Sequence, residues 1–314
     1  MTMAVALVFA GPETVQVVTT DGKTLEGVTK LAALTVSGRK IPLGSVLSVH
    51  NGAPATSVEA ARIEAGLTAI QAYKDEKLES KERQARDAAV EELTGIGLPV
   101  MTPLLRAFKD TDQHEPRPLY RLFERLIPSQ ADQLDREASL VRLANGELVR
   151  GKVDGFVLEL GGQKLDWAAI RRLAVRRKSV GRLLAVHSLK HSSQIEYLDT
   201  GVVLTSGSTV TARSKGFVRL SWDTDGWATE ANGLKVPGPN YKTNLVDGHP
   251  FGALVGKVKS SGTPFLVGAE YSGQNLSAGR LHLAVNDNRH WQNNVGSFQV
   301  TLVATDAYDT GAAQ

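Results

Sequence analysis

Val17-Val-Thr-Thr-Asp-Gly22-Lys-Thr-Leu25-Glu-Gly27 returns later in the chain as Val141-Arg-Leu-Ala-Asn-Gly146-Glu-Leu-Val149-Arg-Gly151. The spacing is constant at 124 residues (22 to 146) and needs no gap. It goes on to pair Leu34 with Leu158, Val36 with Leu160, Gly38 with Gly162, Val46 with Ile170 and Val49 with Leu173. Several pairs are similar and not identical, so the two copies have diverged. Asp21-Gly22 and Asn145-Gly146 are hairpin signals, because glycine tolerates the positive φ of a type I′ turn. Second turns fall at Ser37-Gly38 and Gly161-Gly162, and Leu34-Thr-Val36 and Leu158-Glu-Leu160 alternate as half-buried strands do. One such unit buries too little apolar surface to stand alone. The copies, about 15–50 and 139–175, are therefore expected to pack together as one pseudo-twofold β-barrel or sandwich domain over 11–182.

A helical insertion is expected between them, about 57–137. Thr56 and Glu59 make a capping box. Ala60, Ile63, Leu67 and Ile70 follow at helical spacing. Asp75–Asp87 is charged almost throughout and reads as a solvated helix extension, which Gly95 and Gly97 end. The stretch from Ala88 to Leu104 is similar to a single HEAT-type helical repeat, which suggests a packing or partner-binding hairpin and not a solenoid. A homo-oligomer or a protein partner engaged through this insertion is the expectation. The first β copy resembles small barrel-like units of bacterial envelope proteins, a generic likeness that implies no activity.

With 314 residues the chain has room for about two domains. Cysteine is absent, which excludes disulfides, thiolate metal sites and cysteine nucleophiles together. The 36 basic side chains barely outnumber the 33 acidic ones, so no nucleic-acid partner is expected. The densest basic run, Arg171 to Lys178, lacks the aromatic interleaving such a surface uses. No apolar run is long enough to span a membrane. Met1–Ala10 resembles a clipped signal peptide that lacks its positive start, and export to the periplasm or the extracellular space is expected.

After Arg182 charge thins and short β runs alternate with turns, at about 195–204, 208–220, 252–258, 264–268, 279–285 and 297–304. Their spacing suits an all-β sandwich over about 190–305, and Asp306–Gln314 reads as a frayed tail. The chemistry gathers in Val285-Asn286-Asp287-Asn288-Arg-His290-Trp291-Gln-Asn293-Asn294-Val-Gly296-Ser297-Phe298. A strand runs into a loop crowded with oxygen side chains, then into a second strand. Asp287, Asn293 and Asn294 make a sparse but workable set for a hard cation, which takes oxygens from carboxylates, amides, backbone and ligand hydroxyls. Asn-rich loops are also ordinary turns, since asparagine bonds its own backbone.

Pro250-Phe251-Gly252-Ala253-Leu254-Val255-Gly256, then Gly262-Thr-Pro-Phe265, then Asn286-Asp287 and Asn293-Asn294-Val-Gly-Ser-Phe298, together resemble the galactophilic bacterial lectin family over about 194–303. The resemblance implies a jelly-roll β-sandwich holding Ca²⁺ at its end, with sugar hydroxyls completing the coordination. By position it implies Asp287, Asn293 and Asn294 as side-chain ligands and backbone carbonyls near Leu220 and around Asn288–His290. The loop after the aspartate is one residue shorter than the family's, so His290 or Asn288 would have to replace its threonine. The family's sugar-contacting histidine and glutamine fall on Asn240 and Thr243, which puts a galactose preference in question. Trp291 and Tyr241 are candidates to cover the apolar face of a sugar ring.

Other signals are weaker. Asp223-Thr-Asp225-Gly226 opens like a calcium-binding helix–loop–helix, but position twelve falls on Leu234. His187 and His191 are four apart without a helical pattern. There is no phosphate loop, dinucleotide fingerprint or nucleophile elbow. The expectation is a mainly β, non-enzymatic, exported bacterial protein: a duplicated β domain with a helical insertion, then a Ca²⁺-dependent lectin-like sandwich binding a galactose-like or other glycan. The alternative is a structural or protein-interaction module whose metal and sugar site is degenerate.

Overall fold

The two copies of the repeat fold alike at the spacing the sequence shows, except that the equivalent of the first copy's second strand is split in two in the second copy. The computed structural model describes residues 12–72, 80–100, 103–104, 106–107, 119, 122, 138–193, 196–220, 227–234, 246, 248–274, 276–287 and 294–311. The first copy consists of β1 (Glu13–Thr19), β2 (Thr24–Thr29), β3 (Ala33–Val36), β4 (Arg39–Pro42) and β5 (Val46–His50). Helices α1 (Ser57–Ala72) and α2 (Ser80–Ile96) follow. The second copy consists of β6 (Ser139–Leu143), β7 (Leu148–Gly151), β8 (Val153–Asp154), β9 (Val157–Leu160), β10 (Gln163–Asp166) and the start of β11 (Ile170–His187). Even the single 3-10 turn before the last strand recurs, as Leu43–Ser45 and Trp167–Ala169.

The copies close by exchanging strands. β1 pairs with β11, setting Val17 opposite Leu173, and β6 pairs with β5, setting Val141 opposite Val49. These are one pairing read from either copy. β5 and β11 also meet each other, with Val49 opposite Leu173. Those positions are repeat equivalents, so the pseudo-twofold axis runs between them. Both exchanged ladders slip at the same place, one passing over Arg171 and the other over its equivalent Leu47. Such a bulge turns one residue out of the ladder. The paired glycines have a packing reason. A Cβ on Gly27 would lie 2.9 Å from Leu160 Cδ2, and one on Gly151 would lie 3.1 Å from Val36 Cγ1. Each glycine thus admits the equivalent side chain of the other copy. Val17, Leu34, Val36, Val46 and Val49 share one buried core with Val141, Leu158, Leu160, Ile170 and Leu173.

The bulge also anchors the insertion. Thr56 and Glu59 form the expected capping box: Thr56 N–H donates to Glu59 Oε2 at 2.8 Å and Glu59 N–H donates to Thr56 Oγ at 3.3 Å. Ala60 is exposed, and the buried position is Glu59, 0% exposed. Its carboxylate accepts hydrogen bonds from Nε and Nη2 of Arg171, itself buried; Nη1 donates to Ala53 O and Nη2 also donates to Pro54 O, both at 2.8 Å. Burial by itself would raise the Glu59 carboxyl, but Arg171 and the Thr56 amide outweigh it and hold the carboxyl below its ordinary value. Gly97, at φ +79, closes α2 by donating to Leu93 O.

Two compact units divide the chain, the first holding both copies up to Arg176, the second holding Arg177 onward with Ala69–Glu91. The second unit is a β-sandwich. Its strands are β12 (Leu198–Leu204), β13 (Thr209–Arg219), β14 (Ala228–Thr229), β15 (Leu254–Val258), β16 (Phe265–Leu266), β17 (Glu270–Gln274), β18 (Gly279–Val285) and β19 (Val295–Asp309). One sheet runs β16–β15–β18–β12 and ends on the last residues of β19. The other joins β17 and β14 to β13, and β13 to the first ten residues of β19, Val295 to Ala304. Val210, Val218, Phe298, Val300 and Leu302 face Leu198, Val202, Leu254, Leu281 and Leu283 in the core between them.

β17 and β14 were not expected from the spacing of strands. Nor is Asp306 onward a frayed tail through residue 311. Asp306 takes φ +48 and bends β19 from one sheet into the other, after which Ala307 and Tyr308 are fully buried. The break in alternation at Asp306 is what hides this continuation. The helix extension also departs from the solvated reading where it is described. Arg86 is buried, Asp87 Oδ2 lies 4.0 Å from Lys257 Nζ, and Ser260 N–H donates to Glu91 Oε2 at 3.2 Å. Helix α2 therefore approaches the outer face of β15 at Lys257, while Val255 on the same face packs with Tyr197, Ala284 and Val246.

Replacing Arg171 by alanine strands a buried carboxylate, and we expect a loss of about 3–5 kcal/mol. Because the folded Glu59 carboxyl sits below its unfolded value, its contribution is present above the ordinary glutamate range and is lost as pH falls through the depressed one. Thermal melts from neutral to acid pH should show the wild type losing this increment and Arg171→Ala showing a flatter acid limb.

Candidate functional site

At one end of the sandwich, β18 runs out into Asn286 and Asp287, while β19 begins just after Asn294. The β13–β19 ladder sets Arg219 opposite Val295. Leu220 and Asn294 are the next residue on each strand, so they stand at the same end. All three sequence candidates that fall on described residues are buried: Asp287 is 1% exposed, Leu220 3% and Asn294 5%. The side chain of Leu220 belongs to the apolar core and packs where a Cβ on Gly252 would come within 2.7 Å. Only its backbone carbonyl is a candidate ligand.

The structure brings Asp287 and Asn294 together. Asn294 Nδ2 donates to Asp287 Oδ2 at 2.5 Å and to Ser188 O at 3.2 Å. These two bonds set which way the amide points. They leave Asn294 Oδ1 buried with no hydrogen-bond partner among the described residues. A buried amide oxygen left without a donor costs about 1–3 kcal/mol, and native structures rarely tolerate one without a reason. The Asp287 carboxylate thus meets the nitrogen of the Asn294 amide, and the amide oxygen is left without a donor among the described residues. Among the described residues no group of three or more His, Cys, Asp or Glu comes together.

A brace beside the site was not singled out by sequence. Asn286 is fully buried; its Nδ2 donates to His249 O at 3.1 Å and Pro250 O at 3.0 Å, and its Oδ1 accepts from Val246 N–H at 2.9 Å. Its backbone exchanges bonds with Gly252 and Ala253. Asn286 thus ties the Pro250-Phe251-Gly252-Ala253 turn to the strand that carries Asp287. Ser193 Oγ accepts from Asp287 N–H at 3.2 Å, and Ser188 N–H donates to Gly296 O at 3.1 Å. Ser188 and Ser193 lie in a segment with neither alternation nor helical spacing, so no local signal marks them. His187 and His191 are neighbours there, with ring centroids 6.0 Å apart, but His191 Nδ1 accepts from His187 N–H at 3.0 Å. That nitrogen is occupied by the backbone, which removes the two-histidine metal reading.

The turn into β19 needs glycine. Gly296 takes φ +93, and a Cβ there would lie 2.5 Å from Phe217 O. The remaining candidates, Asn293, His290, Asn240, Tyr241, Thr243 and Trp291, lie outside the described residues. Among the described residues no helix is long and apolar enough to cross a membrane.

No protein-family model and no curated protein matches the chain. A solved structure described as "EclA N-terminal domain; PllA-like lectin" is similar at 20% identity over 40% of this chain and 95% of that one, with a TM-score of 0.29. So low a score carries no argument about the fold or the site.

Asn286→Ala removes four side-chain bonds from the brace, the fourth being the one that Ser193 Oγ donates to Asn286 Oδ1 at 3.4 Å. We expect a loss of about 2–4 kcal/mol, from about 1 kcal/mol per net bond plus the groups left unpaired. Chemical denaturation should register it, and hydrogen exchange should show the Val246–Ala253 turn opening first.

Proposed function

We propose that the C-terminal sandwich is a calcium-dependent carbohydrate-binding module with no catalytic role, in an exported bacterial protein. The observation that carries this reading is the buried Asp287 carboxylate joined to Asn294, whose Oδ1 has no hydrogen-bond partner among the described residues. Asp287, Asn294 and the Leu220 carbonyl would hold the ion, with Asn293 and a carbonyl near His290 as further ligands. Bound calcium supplies a positive centre that orders vicinal sugar hydroxyls. Asn240, Thr243, Tyr241 and Trp291 are the sugar-contacting candidates. The motif order resembling the galactophilic lectins supports the same reading, and the ligand is a galactose-like or other glycan.

The second reading is a scaffold whose site is degenerate. One observation favours it: the Asn294–Asp287 hydrogen bond lets the pair satisfy part of its own demand. Titration calorimetry of the full chain with Ca²⁺ separates the two. The calcium reading expects one site of roughly 10⁻⁴–10⁻³ M, the range of extracellular calcium modules. Asp287→Ala should abolish it while the protein stays folded by circular dichroism, and a glycan array should lose its signals on adding chelator. No uptake of Ca²⁺, or uptake that Asp287→Ala leaves unchanged, would leave only the scaffold.

A further inference from the structure

The outward face of the β13–β19 ladder is unlike the rest of the sandwich. Phe217 is 65% exposed and Val295 56% exposed on one flat face. Phe217 stands opposite Ser297, whose side chain is too short to cover the ring, and diagonal to Val295. Isolated exposed apolar residues are unremarkable, but an exposed aromatic ring on a paired ladder, diagonal to a second exposed apolar side chain, is a contact surface. The same face of β13 carries Arg213 and Lys215 on the side away from the candidate site. The β19 side chains opposite this stretch are Val295, Ser297, Gln299, Thr301 and Val303, none of them acidic. On β17, Glu270 lies 3.8 Å from Arg213, but both side chains are about four-fifths exposed, and such a surface pair neutralises little. A second copy of this face would bring like charges together, which disfavours self-association through it.

We propose that this face binds an acidic oligosaccharide, with Phe217 stacking on the apolar face of one sugar ring and Lys215 and Arg213 meeting carboxylates further along the chain. The proposal deepens the carbohydrate reading and rests on it for the choice of ligand class. Phe217 lies three residues from Leu220, or about 10 Å along the strand. A glycan chain seated at the end of the sandwich therefore reaches the ring within a few sugar units. Aromatic stacking suits the ring's hydrocarbon face, while the ammonium and guanidinium groups supply charge-assisted bonds to carboxylate.

The test uses the full chain in chelator, so that the cation site plays no part. A hyaluronan tetrasaccharide, which carries a carboxylate on alternate sugars, is titrated against the neutral N-acetylglucosamine tetramer. The acidic chain should bind at least about tenfold more tightly, a difference of about 1.4 kcal/mol. Phe217→Ala and Lys215→Glu should each weaken it about fivefold or more. Both positions are exposed, so circular dichroism should be unchanged, and Ca²⁺ uptake that depends on Asp287 should be untouched. Equal affinity for the two sugars, absence of binding, or variants that match wild type would overturn the proposal. So would displacement by single-stranded DNA of equal charge at equal concentration, which would mark a general polyanion surface. Failure of the calcium reading is visible separately, as loss of the chelator-sensitive signal with this face intact.

Discussion

Neither copy of the N-terminal repeat can close its own sheet. The first strand of each copy pairs with the last strand of the other, and unpaired strand edges are costly to leave open. Val49 and Leu173, facing each other across the pseudo-twofold axis, are the point from which the rest of that unit follows. The exchange dictates both bulges, the glycine at each close approach and a core to which both copies contribute. It also breaks the symmetry usefully. At the equivalent bulge positions one copy has Leu47 and the other Arg171, and only the arginine reaches into the insertion to hold Glu59.

The C-terminal unit solves a different problem. Its long last strand serves two sheets, bending at Asp306 to pass from one to the other. Its opposite end carries a carboxylate and an amide out of water. Packing normally selects against such groups unless something compensates them. Here the compensation among described residues is partial: the amide nitrogen is satisfied twice and the amide oxygen not at all. The Asn286 brace and the two serines keep the segments that bear these atoms in register. Rigid support of this kind is what a site that must hold its geometry requires.

Much of the fold was legible because it repeats. Alternation and hairpin glycines mark most strands of both copies, and the 124-residue spacing marks their equivalence. The capping box at Thr56 and Glu59 was legible too, since all its partners lie within one turn. The last turn of β19 was not legible, because Asp306 interrupts the alternation and a polar residue at a bend reads like the start of a tail. Nor was the burial of Arg86 or the approach of Asp87 to Lys257, since their charged neighbours suggest solvent and Lys257 lies far along the chain.

At the candidate site, local sequence marked the residues rich in oxygen, Asp287 and Asn294 among them, because donor atoms are a property of side-chain type. It could not say that these two would be buried and hydrogen-bonded to each other, or that Ser188 would orient the amide. Those follow from strand register and from a segment a hundred residues upstream whose Ser188 carbonyl accepts from Asn294. Sequence by itself determined the duplication, the β character and the chemistry on offer. The tertiary structure alone decided which strands exchange, which charges are buried and which oxygen is left without a partner, since each depends on contacts between residues that no local pattern connects.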